Sequence, residues 1–476
     1  MSFSSRKAAI LQHAENFANS RKAWREKASA FHREDEAYLK FLIPKGKRVL
    51  EIGCGTGDTL ASLAPSYGLG IDFSSGMIAQ AKKSHPGLSF LVGDAEDPET
   101  YSRIGEKFDY IVVVDAIGSF DDCQAFFDLL HPLCTRETRL VVGYFSHLWF
   151  PILKFAELIG MRMSHPPQNV LAPADVWALA RLAHFEMVKS EQRLLMPVSL
   201  FGIGRLVNRF VSVLPGFRIF ALRHYAVCRS LSEADDGLKS VSVVLPVRNE
   251  RGNIEPAVQR IPQFCDDIEI IFIEGHSKDG TYQEMERVKA AYPDRDIKIM
   301  MQPGKGKADA VFAAYDVARG DVLMILDADL TMPPEQLPKF WNAIKSGQGE
   351  FINGSRLVYP MEDEAMRFLN LIANKTFSYL FSWMLNQRYT DTLCGTKVMR
   401  RTDYYRLRDG KAYFGDFDPF GDFDLIFGSS KLSLKTIDLP IRYAARSYGE
   451  TQISRFRHGV MLLKMVILAF FKLKAV

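Results

Sequence analysis

The chain has 476 residues, 47% apolar and 24% charged, which excludes a disordered or collagen-like polypeptide and predicts two to four domains at roughly 100–200 residues each. Its 60 Lys and Arg against 56 Asp and Glu leave a formal net charge of +4, too mild for a nucleic-acid binder. Six scattered cysteines (Cys54, Cys123, Cys134, Cys228, Cys265 and Cys394) form no CxxC pair, so free thiols in a reducing compartment are expected rather than a zinc ribbon or redox motif.

The opening stretch MSFSSRKAAILQHAENFANSRKAW lacks the apolar core of a signal peptide, so a place on the cytoplasmic side of the membrane is expected. VLEI, GLGID, LSFLVGD, YIVVVD and LVVGYF then predict strands with helical patterns between them, the alternation of a doubly wound α/β sheet. The first strand runs into Gly53, Gly55 and Gly57, where glycine permits a tight turn and close approach of the backbone to a ligand. Asp72 ends the next strand, a position from which a carboxylate can bind both ribose hydroxyls of a nucleoside.

Through EIGCGTG, GIDFS, GDAED and FDYIVVVDAI, over roughly residues 30–145, this half resembles class I S-adenosylmethionine-dependent methyltransferases. The resemblance implies a Rossmann-like sheet whose S-adenosylmethionine site comprises Glu51, Gly53, Gly55 and Gly57 by the methionine moiety and Asp72 on the ribose. Asp94 and Ala95 would border the adenine, and Asp115 would lie near the transfer site. Methyl transfer is an in-line displacement at a sulfonium, so proximity and orientation supply much of its acceleration. A base is needed only for a neutral hydroxyl or amine acceptor; His131, His147, His165 and His184 qualify by chemistry alone, and each is read first as structural or exposed.

Residues 146–229 read as apolar helices and Pro-bounded turns, segments that the resemblance implies cap the acceptor side of the sheet. There FGIGRLVNRF joins apolar residues to Arg205 and Arg209, as core or as a membrane-facing patch. Residues 230–240, SLSEADDGLKS, read as a linker between domains at 1–229 and 241–455, with the boundary near Asp236.

After it, SVSVVLPVRNE and IEIIFIEGHSKDGT each predict a strand running into a polar turn, and PGKGKADAV sets Lys305 and Lys307 around Gly306, suited to a diphosphate. DVLMILDADL ends a buried strand with Asp327 and Asp329 on one side. Such a pair can seat Mg²⁺ or Mn²⁺ shared with a diphosphate, which stabilises charge on a departing phosphate.

In this order the motifs of residues 240–455 are similar to those of family-2, inverting, GT-A-fold glycosyltransferases, and they resemble the polyprenyl-phosphate glycosyltransferases, dolichyl-phosphate mannose synthases among them. The resemblance implies that Pro246, Arg248 and Glu250 contact the nucleoside with Glu274, that Asp327 lies on the sugar-diphosphate side, and that Asp329 holds the metal. It places Arg356 of NGSR near a donor or acceptor phosphate, Thr392, Gly395 and Thr396 beside the acceptor, and Arg446 of RSYGETQ on an acceptor phosphate, which a planar guanidinium fork suits. Members often carry two adjacent acids where this chain has Glu274–Gly275 and His276, so the donor base stays open between GDP-mannose and a UDP-sugar. The segment FGDFDPFGDFDLIFG holds Asp416, Asp418, Asp422 and Asp424, of which Asp422 or Asp424 is expected near the acceptor or as a helix cap.

Arg367–Arg388 spaces Asn370, Asn374, Ser378, Ser382 and Asn386 four apart, which predicts an interfacial or a buried helix. Residues 456–476 fall short of the roughly 20 apolar residues of a membrane span and read as an interfacial anchor flanked by Arg455, Arg457, Lys472 and Lys474. From Lys431 onward nine Lys or Arg face two acids, Asp438 and Glu450, which suits an anionic membrane surface. The expected protein is a bifunctional transferase moving a sugar to a polyprenyl phosphate or related lipid and a methyl group to an unidentified acceptor. Assembly of a surface glycan or glycolipid is an alternative, as is a first half that only binds cofactor or docks.

Overall fold

A computed structural model describes residues 4–232, 237–359, 368–414, 421–444, 446, 448 and 455–476. Asp236, Asp416, Asp418 and most of RSYGETQ beyond Arg446 lie outside the described residues. The chain divides into two compact units, Met1–Glu233 with Ala475–Val476, and Ala234–Lys474.

The first unit has strands β1 (Arg48–Ile52), β2 (Tyr67–Asp72), β3 (Ser89–Val92), β4 (Tyr110–Val114), β5 (Arg139–Phe145), β6 (Phe185–Arg193) and β7 (Arg223–Ser230) in the order β3-β2-β1-β4-β5-β7-β6. β1 pairs in parallel with β2 and β4, and its alternate side chains feed two cores: Leu50 and Ile52 join Phe126 and Phe127, while Val49 joins Tyr38 and Leu60. Burial on both faces is why VLEI is continuously apolar rather than alternating. β7 runs antiparallel to both β5 and β6. These last two strands occupy the stretch whose sequence reads as helices and turns.

The second unit has β8 (Ser240–Val247), β9 (Asp267–Glu274), β10 (Asp296–Met301), β11 (Val322–Ile325), β12 (Phe351–Ser355), β13 (Lys397–Arg400) and β14 (Thr436–Pro440), ordered β10-β9-β8-β11-β13-β12-β14. β8 to β11 are parallel, and β13 is antiparallel between β11 and β12. Both units are therefore mixed-sheet α/β folds, with the loops after the central parallel strands forming one end of each sheet.

In the helix Phe368–Leu385, Asn374 and Ser378 of the polar stripe face inward. Both are buried, and the Ser378 hydroxyl donates to the carbonyls of Asn374 at 2.7 Å and Thr390 at 2.8 Å. The stripe thus satisfies loop carbonyls outside any strand ladder, while Ile372 and Tyr379 are exposed. The helix Arg455–Ala469 exposes Val460, Leu463 and Ile467 and buries Leu462, Met465 and Ala469. No helix among the described residues is long and apolar enough to cross a membrane.

Candidate active sites

In the first unit the loop after β1 is shaped by Gly53, whose φ of 72° lies in the left-handed region and whose missing Cβ would overlap that of Ala116. Gly53→Ala is expected to destabilise this unit by roughly 1–3 kcal/mol through combined strain and overlap, and to weaken S-adenosylmethionine binding; denaturation and titration calorimetry measure the two effects. Asp72 lies at the end of β2, accepting from the backbone N–H groups of Gly55 and Ser74, each at 2.9 Å. Burial raises its pKa and those two bonds oppose the rise. A carboxylate has further lone pairs, so Asp72 can also accept from ribose hydroxyls.

Glu51 is buried and accepts from the N–H of Leu60 at 3.0 Å. Burial pushes its carboxyl up from 4.5 to about 8, more than the Leu60 bond lowers it. Its pKa is therefore higher folded than unfolded, so its contribution to stability is fully present below about pH 4.5 and is lost as pH rises towards about 8. Glu51→Gln should flatten that decline across the same window in urea denaturation curves; an unchanged slope would assign the decline to another group.

Asp94, expected beside the adenine, is paired with Lys7 at 2.6 Å, and Lys7 also reaches Glu96 at 2.7 Å. Lys7 belongs to the helix Ser5–Phe17, whose Glu15 accepts from the N–H of Gly76 at 3.1 Å and the Ser74 hydroxyl at 3.0 Å, at the start of the helix Ser75–Ser84. The N-terminal helix therefore packs against Asp94 and the start of the helix Ser75–Ser84, a contact that no local motif announces. Ala95 is partly buried and its carbonyl accepts from Tyr101 at 2.7 Å.

Asp115 has a φ of 61° and lines an open cleft with Tyr144, His147, Phe150, Lys154 and Arg162. It also pairs with Arg223, which is fully buried and binds Asp35 at 2.8 Å. Asp35 and Arg223 carry no motif of their own, and the sequence reading overlooks both. Of the four candidate histidines, His147 alone lines the cleft. His131 stacks on Phe185 and contacts the Ser230 hydroxyl at 2.7 Å, His165 contacts the Met163 carbonyl at 2.7 Å, and His184 occupies a left-handed turn at φ 54°.

In the second unit the segments after β8, β10, β11 and β14 bring acids and cations together. Arg446 bridges Glu250 at 3.1 Å and Asp329 at 2.7 Å, and Asp329 also accepts from the backbone N–H (3.1 Å) and hydroxyl (2.8 Å) of Thr331. Lys307 contacts Asp327 at 2.7 Å and lies 3.8 Å from Asp422, while Lys397 lies 3.9 Å from Asp422. Burial alone would lower the Lys307 pKa, and Asp327 and Asp422 raise it above the usual lysine value; burial would raise Asp327, and the Lys307 charge brings it below the ordinary carboxylate range. A Cβ at Gly395 would overlap the Asp327 carboxylate, so any side chain there would displace that group.

The remaining predicted residues divide by location. Arg248 and Lys305 are exposed and Pro246 is half-buried. Glu274 is buried and caps its own turn, accepting from the N–H groups of His276 at 2.9 Å and Ser277 at 2.5 Å. Arg356 gives Nε and Nη2 to Asp391 at 2.7 and 2.9 Å, so its fork is already engaged. Thr396 is buried beside Gly354, and the buried Thr392 hydroxyl has no hydrogen-bond partner among the described residues. Asp422 and Asp424 form the first turn of the helix Asp422–Lys431, with Asp424 3.9 Å from Lys411. Asp391 and Lys397 are the residues of this site that sequence reasoning misses.

Asp327 and Asp329 offer only hard oxygen donors, the chemistry that Mg²⁺ and Mn²⁺ prefer, and each balances its charge against a flexible cation, so these residues fit a divalent ion. No group of three or more His, Cys, Asp or Glu suited to hold a metal occurs among the described residues, so other ligands of such an ion would come from a bound diphosphate or water.

Residues 242–413 match the family model of glycosyl transferase family 2, and residues 49–136 match that of a methyltransferase domain. A dolichol-phosphate mannosyltransferase of Pyrococcus furiosus is 35% identical over 137 residues, 28% of this chain and 38% of the relative. An undecaprenyl-phosphate 4-deoxy-4-formamido-L-arabinose transferase of Aeromonas hydrophila subsp. hydrophila is 32% identical over 114 residues, 23% of this chain and 35% of the relative. The chain thus spans little more than a third of the length of either curated relative. Among solved structures, a SAM-dependent methyltransferase of Thermotoga maritima aligns over 46% of this chain and 99% of its own, at 20% identity and a TM-score of 0.36. The chain therefore joins two transferase domains, a methyltransferase domain matched at residues 49–136 and a family 2 glycosyl transferase domain matched at residues 242–413.

Proposed function

We propose that the second unit moves a sugar from a nucleotide-diphosphate donor to a polyprenyl phosphate or related lipid phosphate, and that the first moves a methyl group from S-adenosylmethionine to an acceptor seated beside Asp115. The observation that carries the first reading is the convergence of Glu250, Asp327, Asp329, Lys307 and Arg446 at one end of the sheet. The names of the two curated relatives, both transferases that act with a lipid phosphate, support the acceptor class.

Lys307 supplies positive charge beside Asp327, where a donor diphosphate would sit, and Gly395 holds the backbone close against that carboxylate. Arg446 presents a planar fork that can exchange Asp329 and Glu250 for phosphate oxygens. A bound Mg²⁺ or Mn²⁺ on Asp327 and Asp329 supplies Lewis-acid stabilisation of the leaving diphosphate. An acceptor phosphate is already anionic near neutral pH, so Asp422 need only orient Lys307 and Lys397 rather than abstract a proton. In the first unit, Asp72 and the glycine loop orient the cofactor while Asp115, fixed by Arg223, borders the cleft that takes the acceptor. The exposed stripe Val460, Leu463 and Ile467, beside Lys464, supports peripheral attachment of the second unit to a lipid surface.

The test incubates the full chain with Mg²⁺, a polyprenyl phosphate and a panel of GDP- and UDP-sugars. Release of nucleotide diphosphate that requires both the lipid and one particular donor is expected. Release only after a glycan primer is added would overturn the lipid-phosphate acceptor.

A further inference from the structure

The first unit carries an apolar surface that its own core does not use. The helix Phe150–Leu158 lines the cleft with Phe150 and Leu153 and turns Phe155 and Leu158 outward, 60% and 83% exposed. Residues 198–220 add Leu200, Phe201, Phe217 and Phe220, with Phe201 wholly in solvent at 106% and Phe220 at 62%. The two segments are contiguous, because the Trp149 indole N–H donates to the Phe220 carbonyl at 2.7 Å. Single exposed apolar side chains are ordinary on a soluble protein, but a cluster of large ones marks an interaction surface.

This face is built, not left over. Asn208 is buried and clamps Met196 in both directions, accepting from its N–H at 2.9 Å and donating to its carbonyl at 2.8 Å. Leu200 and Phe201 have φ values of 38° and 54°, a left-handed conformation that large side chains rarely adopt. The fold therefore holds a phenyl ring in solvent with strained backbone, where glycine would sit without strain.

Its charge identifies the occupant. Of the five arginines from Arg193 to Arg223, Arg193 and Arg223 are buried and paired with Glu191, Asp35 and Asp115, while Arg205 and Arg209 are exposed among the apolar residues. In the neighbouring helix the single acid, Glu157, is taken by Lys154 at 2.8 Å and Arg162 at 2.5 Å. An apolar face that carries the exposed Arg205 and Arg209 matches the interface of an anionic bilayer, which buries the rings at headgroup depth and draws the guanidinium groups to lipid phosphates.

We propose that this face of the methyltransferase unit, the Phe150–Leu158 helix with residues 198–220, docks on anionic lipid bilayers. The proposal does not depend on the sugar-transfer reading and concerns residues outside the second unit.

The test is co-sedimentation of the full chain with phosphatidylcholine vesicles, with and without phosphatidylglycerol. The wild type should bind the anionic vesicles in preference, and Leu158→Asp with Phe201→Asp should weaken that binding at least about tenfold, since each apolar side chain withdrawn from water is worth about that factor. Phe201→Gly separates docking from folding: it relieves a strained φ, so thermal stability should hold or rise while vesicle affinity falls. Leu463→Asp is the control on the second unit. Wild-type vesicle affinity in the double variant, with Leu463→Asp alone abolishing it, would overturn the proposal. So would a lipid-independent dimer that the double variant disperses, because a second copy would then cover the face.

Discussion

Asp329→Asn is expected to lower the turnover of sugar transfer by about 10²–10³-fold, the usual consequence of losing one preorganised group that stabilises developing charge. The same change should leave the thermal transition almost unmoved. Asp329 is only partly shielded, and Arg446 keeps its second carboxylate, Glu250, at 3.1 Å. Asparagine still accepts from Thr331, so the turn after β11 is preserved. What is lost is a negative charge facing the diphosphate site, and with it one of two hard oxygen ligands for a divalent ion. Steady-state kinetics across a Mg²⁺ series measure this. Wild-type turnover and metal dependence in the variant would remove Asp329 from the site.

A second large effect belongs to stability. Asp391 is fully buried, and it accepts from the backbone N–H of Arg356 at 3.1 Å, from Nε and Nη2 of the same residue, and from the N–H of Leu393 at 3.0 Å. Burial works against both charges, but the pair overcomes it, leaving the Asp391 pKa below and the Arg356 pKa above their usual values. Asp391→Ala strands a buried guanidinium and should cost about 3–5 kcal/mol, a fall in the melting temperature of this unit on the order of 10 °C. Arg356→Leu combined with Asp391→Leu should recover part of that loss, because no charge is then left unpaired. A loss under about 1 kcal/mol for Asp391→Ala would mean that the guanidinium finds water or another partner.

The two predictions expose different limits of reading the sequence. Asp327, Asp329, Asp72 and the glycine loop are legible because each depends on a local pattern, an apolar strand running into a turn, and the structure puts all of them at strand ends. Asp391 and Lys397 carry no such pattern, since their roles come from partners that only the fold brings near. The same holds for Asp35, which reaches Arg223 across 188 residues, and for Lys7, which pairs with Asp94. The parallel strands β1, β4, β8, β9 and β11 are legible from their apolar runs, whereas β10 (DIKIMM) alternates polar and apolar residues and goes unread. β12, β13 and β14 (FINGS, KVMR and TIDLP) hold no more than two adjacent apolar side chains before a polar residue, Gly or Pro intervenes, so no apolar run registers. β6 hides for another reason: FEMVKSEQR is rich in charged residues that pair along the sheet, as Glu186 does with Arg229 of β7 at 2.6 Å. In the Phe368–Leu385 helix the polar spacing was visible, but its direction was not, because serine hydroxyls can serve a neighbouring loop as readily as water.

The central claim is that the second unit glycosylates a lipid phosphate, and the most direct measurement follows a labelled sugar from nucleotide donor into organic extract. The full chain, a divalent cation and a polyprenyl phosphate should transfer label into the lipid phase, and Asp329→Asn should fail to do so. Label that stays in the aqueous phase with every donor, while a glycan primer becomes labelled, would contradict the account.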